Sequence, residues 1–279
     1  MELLLNELTF EGQFTSKEDF IQTALANLNE ILHELEGFGH ILLKKQDVMY
    51  TKITKSETLS DLMLSPPSIY KNEIRRFSLS LLKLANEPFW EDSMLQDPDI
   101  AYIWKSEDIW GSSLAESCER DKVVLSIQNS RFEEPILSVF RQNERIEIAN
   151  ILKPKELLEY LWTKNLISFG EYVKNRFSTG KLDFSKFIDD RNFQVIQSSE
   201  QFLFIDAFRK FNELSWEEIG RDGGFQYKDF NGTLSGFSSQ NINLKKFRAS
   251  QKIRCHGYRD GKRFYVLFLE VDHNLSDNG

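Results

Sequence analysis

The chain has 279 residues, with 35 basic and 43 acidic side chains and a net charge of −8. Apolar residues make up 41% of it and aromatics 13%, against 14 glycines and 6 prolines. That balance excludes a disordered tail protein, a collagen-like repeat and a disulfide scaffold. The length suits one large domain or two modest ones, each able to bury a core.

The opening Met1-Glu2-Leu3-Leu4-Leu5-Asn6 lacks the basic region, long apolar run and cleavage site of a signal peptide. No stretch approaches the roughly 18 apolar residues of a membrane span. Two cysteines, Cys118 and Cys255, offer no disulfide framework. A soluble cytoplasmic protein without membrane contact is the expectation.

Glu2 to Phe10 reads as a strand. Thr15 and Glu18 have the spacing of a capping box. Behind it Phe20, Ile21, Ala24, Leu25, Leu28, Ile31, Leu32 and Leu35 recur at helical intervals, with Gly37 placed as the C-cap glycine. His33 and His40 flank the end of that helix and read as surface or capping groups. A second helix is expected over Ser68 to Ala85, between Pro66-Pro67 and Pro88. Phe89 to Trp110 carries Trp90, Trp104 and Trp110 among many carboxylates, which suits either core packing or a protein-partner surface.

Ile136 to Arg141 and Arg145 to Ile151 read as a hairpin, and helices follow from Pro154 and over Phe169 to Phe177. The polar stretch from Ser178 to Asn192 is the candidate boundary, giving an N-terminal body over 1–180 and a C-terminal domain over 190–279. A strand is expected over Phe193 to Gln197, a helix over Ser199 to Leu214 and a helical turn at Trp216. A strand from Lys246 to Tyr258, an Asp260-Gly261 turn with both residues at positive φ, and a return strand from Arg263 to Val271 close the chain. The expected class is α+β: a mainly helical N-terminal body with short strands, and a smaller C-terminal α/β unit ending in an antiparallel hairpin.

The closing segment carries the functional lead. Lys245, Lys246, Arg248, Lys252, Arg254, Arg259, Lys262 and Arg263 face Asp260 alone, an excess of seven positive charges in an otherwise acidic chain. Period-two reading places Phe247, Ala249, Gln251, Ile253 and Cys255 on one face and Arg248, Lys252, Arg254, His256 and Tyr258 on the other. A cationic face with a tyrosine and a histidine suits phosphate contact and base stacking, with Arg259 and Arg263 adding to it. Edge protection and internal ion pairing offer an alternative reading of the same charges. Nothing in the spacing of His, Cys or Gly residues points to a metal, a cofactor or a phosphate loop.

Asn6-Glu7-Leu8 with Gly12-Gln13-Phe14, and Pro88-Phe89-Trp90-Glu91-Asp92, resemble segments of uncharacterised bacterial proteins from plasmid, prophage and defence-island genes. The tail is similar to the toxin fold of the RelE/ParE superfamily. Phe193 to Ser198 would supply its opening strand, Ser199 to Leu214 its helix, and Arg248 to Val271 part of its sheet. That likeness implies metal-independent RNA cleavage by clustered Lys, Arg, His and Tyr side chains, with His256, Arg254 and Tyr258 as catalytic candidates. The long N-terminal body and the insert from Gly220 to Ser239 depart from the small toxins.

The expected function is an accessory or effector protein of a bacterial anti-phage defence or toxin-antitoxin type system. It would touch RNA or DNA through the basic strand and a protein partner through its Trp-rich region. The alternatives are a metal-independent ribonuclease toxin and a purely structural subunit of a protein complex.

Overall fold

A computed structural model describes residues 1–68, 82, 84–127, 129–234, 237, 242–272 and 275. The helix expected over Ser68 to Ala85 lies almost entirely outside them. The chain divides into two compact units, Met1–Tyr160 and Leu161–Gly279. No helix among the described residues is long and apolar enough to cross a membrane.

In the first unit β1 (Glu2–Leu5) leads through a 3-10 turn to α1 (Lys17–Phe20), a π-turn over Ile21–Leu25, and α2 (Ala26–Gly37). Ser16 caps α1 by accepting the Asp19 N–H at 3.2 Å. The Asp19 carboxylate accepts from the Thr15 N–H and hydroxyl in return, so the capping pair lies one residue later than Thr15 and Glu18. At the far end it is Gly39, two residues beyond Gly37, that takes a left-handed φ of +69°.

β2 (Ile41–Leu43) returns parallel to β1. α3 (Leu59–Leu64), β3 (Tyr102–Trp104), β4 (Glu107–Asp108), α4 (Ser113–Glu119), β5 (Val123–Leu125), β6 (Ile136–Arg141) and β7 (Glu144–Ile151) follow. The strands form one seven-stranded sheet in the order β2-β1-β5-β7-β6-β3-β4. Parallel pairing runs from β2 to β7 and antiparallel pairing from β7 to β4.

The expectation of a mainly helical body is therefore corrected: the described residues are 37% helix and 23% strand, two mixed sheets with helices, of α/β class. The reason is legible afterwards. Ile41–Leu43 and Val123–Leu125 are three-residue parallel strands, and Val123, Val124 and Leu125 are all buried. A strand covered on both faces has no polar alternation to announce it. Leu4, Leu43 and Val124 sit side by side in the sheet and pack with Trp90, Trp104, Leu114 and Phe132 in a single apolar cluster.

α5 (Pro154–Thr163) contains the division at Tyr160 and Leu161, well ahead of the Ser178–Asn192 stretch. The second unit continues with α6 (Phe169–Phe177), β8 (Leu182–Asp183), α7 (Arg191–Gln194), α8 (Ser198–Glu213), α9 (Trp216–Arg221), β9 (Lys228–Asp229), β10 (Leu244–Arg248), β11 (Arg254–Asp260) and β12 (Arg263–Glu270). Its five-stranded sheet has the order β8-β12-β11-β10-β9, parallel only between β8 and β12. Phe208 and Phe211 of α8 pack on Phe247 of β10, and Phe211 also meets Phe264 of β12.

Three sequence expectations change here. Phe193 to Gln197 is not a strand, because α7 occupies its start. The neighbouring edge of β12 is instead bonded by the Ile188 N–H and the Asn192 side chain. The expected single strand from Lys246 to Tyr258 folds back on itself at 249–253, so that Phe247 pairs with Cys255 and Arg248 with Arg254. The last turn is tight as expected, but Asp260 pairs with Arg263 and the turn residues are Gly261, at φ +55°, and Lys262.

The ladder between β11 and β12 slips by one residue at His256 and Gly257. There the β12 backbone comes so close that a Cβ on Gly257 would overlap the Tyr265 carbonyl oxygen and the Phe264 ring. Gly257→Ala is expected to cost about 2 kcal/mol or more of stability. A urea midpoint equal to that of the parent chain would contradict this.

Candidate functional site

The fold-back decides where the cations go. In the ladder Lys246 stands opposite His256 and His256 opposite Phe268, while Arg248 stands opposite Arg254 and Arg254 opposite Glu270. Five charged or titratable side chains thereby share one face of the sheet, and four of them, Lys246, Arg254 (4% exposed), His256 (0%) and Glu270 (1%), are buried there. His256 Nε2 lies 2.7 Å from Glu270 Oε2, and Glu270 Oε1 accepts the Leu275 N–H at 2.6 Å. The Phe230 ring meets the His256 imidazole edge-on at 4.5 Å and carries the Lys246 ammonium at 5.1 Å. His256 Nδ1 has no hydrogen-bond partner among the described residues.

Arg254 serves the turn that precedes it. Its guanidinium donates to the Ser250 carbonyl at 2.8 Å, to Gln251 at 2.8 Å and to Ile253 at 3.1 Å. These three acceptors belong to the loop that converts the expected strand into a hairpin, and a charged donor binds them strongly. Neither Arg254 nor His256 offers a surface that a substrate reaches in this conformation.

The other cations divide into two groups. Lys245 pairs with Asp229, whose carboxyl it holds below the usual range, and Arg263 pairs with Asp183 at 2.7 Å. Arg248, Lys252, Arg259 and Lys262 make no ion pair among the described residues, and the last three are exposed. Arg248 and Lys252 lie at one end of the sheet, and Arg259 and Lys262 at the other. A seven-residue strand rising about 3.3 Å per residue puts the two ends roughly 20 Å apart.

At the hairpin end Arg259 lies over the Trp216 indole, 4.0 Å from the ring centroid, and its Nε donates to the Gly261 carbonyl at 3.0 Å. Tyr258 points to the opposite face, stacked on Tyr265 at 5.0 Å and near Phe237 at 5.9 Å. Burial pushes its phenol up, so the hydroxyl stays protonated at neutral pH.

In the first unit Trp90 and Trp104 belong to the core. Trp90 Nε1 donates to Ser113 Oγ at 3.0 Å, and Trp104 stacks on Phe132 at 4.4 Å. Trp110 is 48% exposed, as are Met94 and Leu95 in part. The two segments that carry the bacterial resemblance meet at one residue. Ser113 gives its N–H to Glu7 at 3.0 Å and its hydroxyl accepts from Trp90, so both segments anchor the start of α4. Cys255 is fully buried on the face opposite His256, and its thiol is pushed well up by that burial.

Among the described residues no three His, Cys, Asp or Glu side chains are grouped to hold a metal ion. Compared with known proteins, the chain matches no family model, no curated protein and no solved structure.

Removing one partner of a buried hydrogen-bonded contact leaves the other unsatisfied, at about 2 kcal/mol. Glu270→Ala is accordingly expected to lower the stability of the second unit by about that amount. Native-state hydrogen exchange of β11 amides reads the change, and unaltered protection in β11 would contradict it.

Proposed function

We propose that the protein binds nucleic acid through the hairpin end of its second unit, as an accessory or effector protein rather than as a nuclease. One observation carries this reading: Arg259 is exposed, free of any carboxylate partner among the described residues, and lies over the Trp216 ring at 4.0 Å, at the same end of the sheet as Lys262. A guanidinium fixed on an indole keeps one face for a base and its edge for phosphate, with little side-chain entropy left to lose. Arg248 and Lys252 supply a second, separate phosphate contact at the other end of the sheet.

The bacterial defence or toxin-antitoxin setting rests on the resemblance of Asn6-Glu7-Leu8 and Pro88-Phe89-Trp90-Glu91-Asp92, and a cytoplasmic location on the absence of a disulfide framework. A protein partner fits Trp110 with Met94 and Leu95, the exposed apolar residues of that region. The ribonuclease alternative needs His256 and Arg254 to become accessible, since both are sealed in this conformation.

Anisotropy with a labelled 20-nucleotide single-stranded RNA tests the proposal. Binding should weaken with salt, and the pair Arg259→Ala and Lys262→Ala should reduce affinity by about tenfold and make the salt slope shallower by about one. The RNA should remain intact. Equal binding by the variant refutes the interface, and new 2′,3′-cyclic ends would favour the ribonuclease.

A further inference from the structure

A cleft of about 440 Å³ lies in the first unit, lined by none of the residues proposed above to bind nucleic acid or a protein partner. Leu32, Leu35, Leu42 and Leu84 are among its mainly apolar walls, and its polar groups include Lys44 and His40. Its position follows from the strand order. β2 is the edge strand of the seven-stranded sheet, and Leu43 points into the cluster beneath Trp90. Leu42 and Lys44 therefore alternate to the other face, toward the C-terminal end of α2. The backbone holds Lys44 there through a bridge to Phe89 and the Trp90 N–H on its carbonyl at 3.1 Å.

Lys44 is 3% exposed, and its ammonium has no hydrogen bond or ion pair among the described residues; it lies over the Phe89 ring, 5.6 Å from the centroid. An ammonium is costly to bury without a counter-charge. Desolvation brings its pKa down to about 8, which still leaves it mostly charged at pH 7. His40 Nε2 is likewise buried without a partner among the described residues. The structure thus places two unsatisfied nitrogens in a single apolar cleft, one of them cationic.

We propose that this cleft is a binding site for an amphipathic monocarboxylate, whose carboxylate pairs with Lys44 and whose hydrocarbon body lies along the leucine walls. A single acid group is favoured because the exposed Glu87 also lines the cleft, so further negative charge on the ligand would be repelled. His40 adds a hydrogen bond to the second carboxylate oxygen in the tautomer that carries its proton on Nε2. The size and lining match small-molecule sites in general.

Isothermal titration of the full chain at pH 7 with sodium decanoate, and separately with decanol and decyltrimethylammonium, tests the inference. Decanoate should bind saturably at one site and at least tenfold more tightly than either neutral or cationic analogue. Lys44→Met should erase that preference while leaving decanol binding in place, and Lys44→Arg should keep part of it. Absence of saturable decanoate binding to the parent chain, or equal affinity for decanol, overturns the proposal. The comparison of ligands on the parent chain stands even where a variant fails to fold. RNA binding at the hairpin end is read independently, so failure of one reading leaves the other testable.

Discussion

The contact between His256 and Glu270 constrains nearly everything about the second unit. A histidine and a glutamate 2.7 Å apart, both sealed from solvent, require that β11 and β12 stay paired and that Phe230 and its neighbours cover that face. Buried charge of this kind is expensive unless each group is answered. Glu270 is answered by His256 and by the Leu275 N–H, and Arg254 by three carbonyls. The same arrangement withdraws Lys246, Arg254 and His256 from the surface. What a linear reading presents as one cationic ribbon is thus a sheet with an ionic interior and two small cationic ends.

The difference bears on function. Eight cations in 19 residues suggest a continuous track for a phosphate backbone. In the fold, two are internal or serve the turn, two are paired with carboxylates, and the other four stand in two groups about 20 Å apart. Arg259 on Trp216 is distinctive because the indole fixes the guanidinium in place without neutralising it. An ion pair would have satisfied it and removed it from use.

Much of the architecture was legible, for reasons that separate what succeeds from what does not. The helix over Ser198–Glu213, the hairpin of Ile136–Arg141 with Glu144–Ile151 and the closing hairpin carry long periodic patterns or a glycine turn, and each is present. The short parallel strands Ile41–Leu43 and Val123–Leu125 carry too few residues for a period and were hidden inside an apparently helical body. The fold-back at 249–253 had a signal that the alternation overrode: Ala249-Ser250-Gln251-Lys252 holds no β-branched or aromatic residue, and Ser250 is a turn former. Lys44 had no signal of its own, since a lysine after Ile41-Leu42-Leu43 reads as the polar end of a strand. Strand alternation turns its side chain away from the Leu43 face, and the place of β2 in the sheet puts the cleft there.

Hydrogen–deuterium exchange of the full chain, with and without single-stranded RNA, tests the central claim most directly. The account predicts slowed exchange in peptides spanning 216–221 and 258–263, with a smaller effect at 248–252, and with 254–256 already protected in the free protein. Rapid exchange at 254–256 in the absence of RNA, or RNA-dependent protection restricted to residues 1–160, would contradict it.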